Sequence, residues 1–243
     1  MEIVYIILIA FSVLVFIGVT ISGAATASIK KLIKTNETGS TTLSRTASEF
    51  CKDILIDKKI NVQVARIPGN SYAAYDYRNK VVALSDDIYS SYSAVSVAMA
   101  THEVGHAIQD DTDTAKFRIY KKFNLGSKIL TPIFWLSFLV GIILLFAIPY
   151  DFIPAYVAFG VMGGSVLIEI IFKLSTVSME KQASEFALDI LQKEGFSDEE
   201  LKLASHLYKA ALTTYIAGIF DPVVKIFNAI TWLIYNSIGR LFR

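Results

Sequence analysis

Charge is scarce in this chain. Of its 243 residues only 19% are Asp, Glu, Lys or Arg, against 53% apolar, and the mean hydropathy is +0.50. Soluble domains usually carry about a quarter charged residues. So little charge with so much apolar matter excludes a disordered chain, which needs the reverse balance. The 23 basic and 22 acidic residues leave a net charge of +1, which excludes the basic footprint of a nucleic-acid binder. Cysteine occurs once, at Cys51, so no disulfide framework is available within the chain. What is plentiful is long uncharged sequence, and that points to an integral membrane protein.

Residues 3–29 contain no Asp, Glu, Lys or Arg, and about 20 apolar residues span a bilayer core. A cleaved signal peptide would show a basic start and a shorter apolar stretch, so this segment reads as a retained anchor. A second uncharged run covers Ile129–Tyr150 and a third covers Phe152–Ile168, reaching Phe172 if Glu169 is tolerated. Only Pro149-Tyr150-Asp151 separates them, so the two form a transmembrane hairpin. In the tail, Ala211–Phe220 and Ile226–Gly239 are uncharged but short, and Asp221-Pro222 lies between them. A kinked span, a re-entrant pair and an interfacial helix all fit that pattern.

Lys30, Lys31 and Lys34 follow the first span; Lys116, Arg118, Lys121, Lys122 and Lys128 precede the second; Lys173, Lys181 and Lys193 follow the third. Basic residues stay on the cytoplasmic side. The expectation is a multi-pass cell-membrane protein with its N-terminus outside and residues 30–128 and 173–210 together in the cytoplasm. The charged connection Asp110–Lys128 should run along the water–lipid boundary.

Within the polar part, Thr35–Thr42 is a linker and Thr46–Ile56 has helical apolar spacing. Val62–Ile67 alternates like a strand, Tyr75–Lys80 reads as a turn, and Val81–Leu84 as a second short strand. Ser85-Asp86-Asp87 resembles a helix start, and Ser90–Ile108 carries a long helix of small and apolar residues. The organisation is an anchor (1–29), a cytoplasmic part with the motif helix (30–128), a membrane hairpin (129–173), a second ligand helix (174–210) and hydrophobic or interfacial helices (211–243).

Inside the long helix lies His102-Glu103-Val104-Gly105-His106. Residues four apart share a helical face, so both imidazoles can bind one Zn²⁺ while Glu103 reaches a metal-bound water as general base. With only three histidines in the chain, a chance His-Glu-x-x-His has odds on the order of one in a thousand. A catalytic zinc needs a third protein ligand and an open position. His206 is one candidate; Glu180, Glu185 and Asp189, after the hairpin, are the others. Glu180, Ser184 and Ala187 share a face with small neighbours, which suits a helix laid against the motif helix.

Pro68–Asp110 and Glu180–Leu191 resemble the YugP-type bacterial membrane zinc metallopeptidases, and beyond them the larger group containing HtpX and the CAAX-prenyl protease. Val81–Tyr89 and Ala100–Gln109 carry the likeness most closely. In the larger group the third ligand is the Glu of a Glu-x-x-Ala-Asp-x-x-Ala pattern. That implies Glu180 here, with Ala183 and Ala187 in place and Ser184 where the pattern has an Asp that orients a ligand histidine. The resemblance implies a mainly α membrane protein: a gluzincin-like zinc peptidase domain with a small β-hairpin, packed on transmembrane helices.

The expected activity is zinc-dependent hydrolysis of peptide bonds, with His102, His106 and Glu180 as ligands and Glu103 as base. The partners implied are a peptide or membrane-protein substrate and the lipid bilayer. Val81–Leu84 is a candidate for pairing with substrate backbone, and His206 and Tyr215 for stabilising an oxyanion. Two other readings are a scaffold or chaperone-like protein of the same fold with little turnover, and a transporter, suggested by Glu169 near a membrane end.

Overall fold

The computed structural model describes residues 2–35, 44–69, 72–148, 150–222, 224–228 and 231. The Thr35–Thr42 linker and the Ile226–Gly239 run lie almost wholly outside them, as do Asn70 and Pro149. The elements are α1 (Glu2–Thr35), α2 (Ala47–Asp57), β1 (Gln63–Ile67), β2 (Ala73–Asp76), β3 (Val81–Ser85), α3 (Asp86–Tyr89), α4 (Ala94–Asp111), α5 (Ala115–Ala147), α6 (Ile153–Lys193) and α7 (Asp198–Ala217), closed by a 3-10 turn at Gly218–Phe220. The protein is mainly α with one small sheet. It divides into two compact units, one of Gly23–Ile119 with Val177–Thr214, the other of Met1–Ser22, Tyr120–Thr176 and the chain from Tyr215.

The first unit is built around a single core. Thr46 opens α2 with a reciprocal cap: its side chain accepts from Glu49 N at 3.2 Å, and Glu49 Oε2 accepts from Thr46 N at 2.9 Å. Such a cap contributes about 1 kcal/mol. The helix then buries Ala47, Phe50, Cys51, Ile54 and Leu55 against Val82, Leu84, Val97, Val104, Leu191 and Leu207. Each fully buried Phe or Leu contributes about 1.5–3 kcal/mol, so packing rather than capping holds the unit together.

The sheet has the order β1-β3-β2, with β1 parallel to β3 (Val64↔Val82) and β2 antiparallel to it (Tyr75↔Val82). The hairpin is therefore β2–β3, and β2 occupies residues that read partly as turn. Ala73-Ala74-Tyr75-Asp76 has neither the β-branched residues nor the alternation of a strand. Tertiary partners make it one. The turn itself is tight: the Asp76 carboxylate accepts from Arg78 N, Asn79 N and Asn79 Nδ2, and Lys80 sits at φ 54°. β3, with a neighbour on each side, has no free edge to offer a substrate, which overturns that expectation for Val81–Leu84.

The motif helix begins at Ala94 rather than Ser90, because Ser93 caps it by accepting from Ser96 N at 3.1 Å. α3 is a separate single turn before it. α4 is buried on most of its circumference, through Val95, Val97, Ala98, Ala100, Thr101, Val104, Gly105 and Ala107. α7 adds Ala204, Leu207 and Tyr208 to the same core, and Tyr208 Oη donates to Ala98 O at 2.7 Å.

Among the described residues, three helical stretches are long and apolar enough to cross a membrane: Ser12–Thr35, Lys128–Ala147 and Ile153–Lys193. In the second unit Phe134 and Val166 form a small core, with Phe138, Met162, Ile170 and Ile226 against it. Much of the remaining apolar surface is exposed, including Leu136, Leu139, Leu167, Ile171 and Phe146, the last at 81%. Patches of that extent belong against lipid. The connection Asp110–Lys128 is largely helical, since α5 starts at Ala115 and continues without interruption to Ala147. Glu169 is not a lone intramembrane charge. Lys225 Nζ donates to its two oxygens at 2.8 and 3.1 Å and to Thr131 Oγ1 at 3.2 Å, which removes the observation that favoured a transporter.

Candidate metal centre

His102 and His106 project from one face of α4, their ring centroids 4.9 Å apart and their planes at 86°. Glu180 arrives from α6: its Oε2 lies 3.1 Å from His102 Nε2 and 3.4 Å from His106 Nε2. One ligand atom from each of the three falls within 4.8 Å of the others. Two donors each about 2.0–2.1 Å from a tetrahedral zinc lie about 3.4 Å apart, so the spacing fits the ion. The donor set fits as well, because two imidazoles and a carboxylate with a position left open are what catalytic zinc sites use. His106 and Glu180 are buried, at 8% and 5% exposure, so like-charged or unpaired forms of this cluster are unfavourable without a cation.

The close approach of α4 and α6 depends on a missing side chain. A Cβ on Gly105 would stand 2.5 Å from Ala183 O and 3.3 Å from Ala183 Cα. Glycine in the middle of the motif lets the two ligand-bearing helices touch through their backbones.

Both imidazoles are gripped on the far side. Gln109, fully buried, stands with its Oε1 2.9 Å from His106 Nδ1, while its Nε2 donates to Met179 O at 2.9 Å and to Gln182 Oε1 at 3.0 Å. His102 is held more loosely. Ser184 Oγ lies 3.4 Å from His102 Nδ1 and donates to Glu180 O at 3.0 Å; the Tyr208 ring packs 5.3 Å from the imidazole. A hydroxyl thus faces His102 where the related pattern has a carboxylate.

Glu103 points to the sheet. Its Oε2 accepts from Tyr75 N at 2.8 Å, on the edge strand β2. The same residue is fixed through its side chain: Tyr75 Oη donates to Asp110 Oδ2 at 2.7 Å, and Lys80 Nζ donates to that oxygen at 2.6 Å. Burial raises the Glu103 carboxyl above the usual range, against the lowering pull of His106 and His102. At His106 burial works against the imidazolium, but the hydrogen bond and charge of Glu180 outweigh it and hold the pKa up to about 9. Burial pushes the Cys51 thiol far up, which leaves it protonated and inert.

Among the other sequence candidates, Glu185 and Asp189 are exposed and pair with Lys181 and Lys193, at 3.9 and 2.7 Å. His206 is exposed on α7, and Tyr215 is 41% exposed in the other unit. Sequence reasoning passed over Gln109, Tyr75 and Tyr208. Gln109 could have been found as the residue one turn beyond His106 on the same face. Tyr208 shares the apolar stripe of Ala204 and Leu207, a weaker sign than the ligand-type residue His206 beside it. Tyr75 gave no sign, because its strand has none.

The family described as "putative neutral zinc metallopeptidase" matches residues 11–234. The chain is 27% identical over 202 residues to "Putative membrane protease YugP" of Bacillus subtilis (strain 168), covering 81% of this chain and 83% of that relative. No solved structure matches. Neither match bears on the wider likeness to HtpX and the CAAX-prenyl protease, which rests on motif residues. The matched residues include the clustered histidines, Glu103 and Glu180, and almost all the helices around them: this membrane protein belongs to that zinc metallopeptidase family.

Proposed function

We propose that the chain is a membrane-embedded zinc endopeptidase in which His102, His106 and Glu180 hold the metal and Glu103 is the general base. The observation that carries this reading is the meeting of Glu180 with both motif histidines, 78 residues of sequence from His102, with Glu103 beside them held by a strand edge. Zinc, when bound, supplies a Lewis acid for the scissile carbonyl and an acidified water.

The protein's own part is positional. Tyr75 N–H fixes Glu103 Oε2, which leaves Oε1 free to take the proton from water and pass it to the leaving amine. A raised carboxyl pKa suits both halves of that transfer. β2 is the edge of the sheet on the Glu103 side, so an extended substrate pairs there and not on β3. The substrate is therefore an unfolded or extended peptide segment, such as one from a membrane protein.

Placement follows from charge and chain length. The second apolar helix and the apolar first part of α6, up to Phe172, lie between the motif and Glu180, and two crossings return the chain to one face. With lysine and arginine clustered at residues 30–34, 116–128 and 173–193, that face is the cytoplasmic one in a multi-pass protein. Chelation tests the catalytic part: proteolysis of a membrane-protein mixture by the detergent-solubilised enzyme should stop with a zinc chelator and return with one equivalent of zinc. Activity that survives exhaustive chelation would refute it.

A further inference from the structure

Met179 O is a backbone carbonyl and can only accept a hydrogen bond. It stands 2.9 Å from the Gln109 amide, so the amide must turn its NH₂ towards it. The other end, Oε1, then faces His106 Nδ1 at 2.9 Å, and an amide oxygen can only accept. His106 must therefore carry its proton on Nδ1. In the neutral imidazole that a metal requires, Nε2, the nitrogen turned to Glu180, is then the one left with the lone pair. The chain of constraint starts on the backbone of α6, one residue before Glu180, and ends on the tautomer of a histidine of α4.

We infer that Gln109 is a positioning residue for the metal: it sets the tautomer and ring orientation of His106 and ties the two ligand helices in register through Met179 and Gln182. This rests on the zinc reading above. Three features support it beyond the hydrogen bonds. Gln109 has no exposed surface and makes these contacts with both polar ends of its amide, which is the arrangement a buried amide needs to be worth its desolvation. His106 has its other face covered by the Phe117 ring at 6.3 Å, so the imidazole has little room to rotate. The grip is also unequal: the partner at His102 Nδ1 is Ser184 at 3.4 Å, against 2.9 Å for Gln109 at His106, so His106 is the better fixed of the pair.

The test is zinc affinity, read by competition with a chromogenic chelator on the full-length protein in detergent, beside thermal unfolding of the metal-free form. Four proteins are compared: wild type, Gln109→Leu, Gln109→Glu and His106→Ala. Gln109→Leu keeps the shape but removes the acceptor, and should weaken zinc binding about 10–100-fold while metal-free unfolding stays within a few degrees. Gln109→Glu keeps an acceptor opposite Nδ1 and, protonated on its other oxygen, also donates to Met179 O, with the Gln182 amide reversed to suit, so this variant should regain most of the affinity. If Gln109→Leu does not fold, Gln109→Met carries the same comparison. Wild-type affinity in Gln109→Leu, with zinc lost in His106→Ala, would overturn this inference alone. Equal loss in the Leu and Glu variants would reduce Gln109 to a packing residue and overturn it too. A wild type that binds no zinc, or a His106→Ala variant that binds it unchanged, would instead overturn the zinc reading underneath.

Discussion

Gly105→Ala separates two opposed effects of one methyl group. In the interior of α4 the exchange should help, since alanine is favoured over glycine in helices by about 1 kcal/mol. Against this, the new Cβ would lie 2.5 Å from Ala183 O, where carbon and oxygen need about 3.3 Å. The obstacle is helical backbone, so α4 and α6 must part by about 0.8 Å at the contact. Zinc–ligand distances tolerate about 0.2 Å, so the site cannot absorb the shift without losing or straining Glu180. Overpacking of this kind costs about 1–3 kcal/mol. Charged to the metal site, that is about a 5- to 150-fold loss of zinc affinity. Metal-free protein can relax more freely and should lose less. The assay is chelator competition together with thermal unfolding of metal-free and zinc-loaded protein in detergent. Unchanged zinc affinity, with a rise in Tm of about 2–4 °C from helix propensity alone, would refute the claim that backbone contact at Gly105 sets the site.

Other outcomes follow from the same geometry. Glu180→Ala should weaken zinc binding far more than Glu185→Ala or His206→Ala, whose side chains are exposed outside the cluster; an emptied site in His206→Ala alone would overturn the ligand assignment. Lys225→Leu strands Glu169 without its partner, so it should lower Tm more than the double replacement of Lys225 and Glu169 by leucine; a double variant no better than the single would remove the pair's role. In a Cys51→Ser background, a cysteine at Asp198 should resist a membrane-impermeant thiol reagent in intact cells and one at Tyr150 should react. The reverse pattern would put the active site outside the cell.

The motif helix was legible because His-Glu-x-x-His at fixed spacing states its geometry outright, and Glu180 was singled out by the resemblance to the Glu-x-x-Ala-Asp-x-x-Ala pattern, the residues alone leaving Glu185, Asp189 and His206 open. The long apolar helices were legible from uncharged length. What escaped depends on contacts made at a distance. β2 is a strand because β3, Glu103 and Asp110 hold it, none of which its own four residues announce. Lys225 and Glu169 meet across 56 residues, so Glu169 alone read as an isolated charge near a membrane end. The start of α4 was misjudged for a local reason, because the Ser93 cap falls within a run of serines. Gln109 and Tyr208 belong to residue types that most often serve packing or solvent, and only the direction of their hydrogen bonds assigns them here.

The central claim is that a zinc held by His102, His106 and Glu180 hydrolyses peptide bonds with Glu103 as base. Glu103→Gln tests it most directly, since it removes the proton acceptor while a similar shape remains on the Tyr75 amide. Zinc content and proteolysis of a membrane-protein mixture should be measured side by side on this variant and the wild type. The account predicts about one zinc per chain in both and a loss of proteolysis of about 10²–10⁴-fold in the variant. Equal zinc with proteolysis within a few-fold of wild type would contradict it.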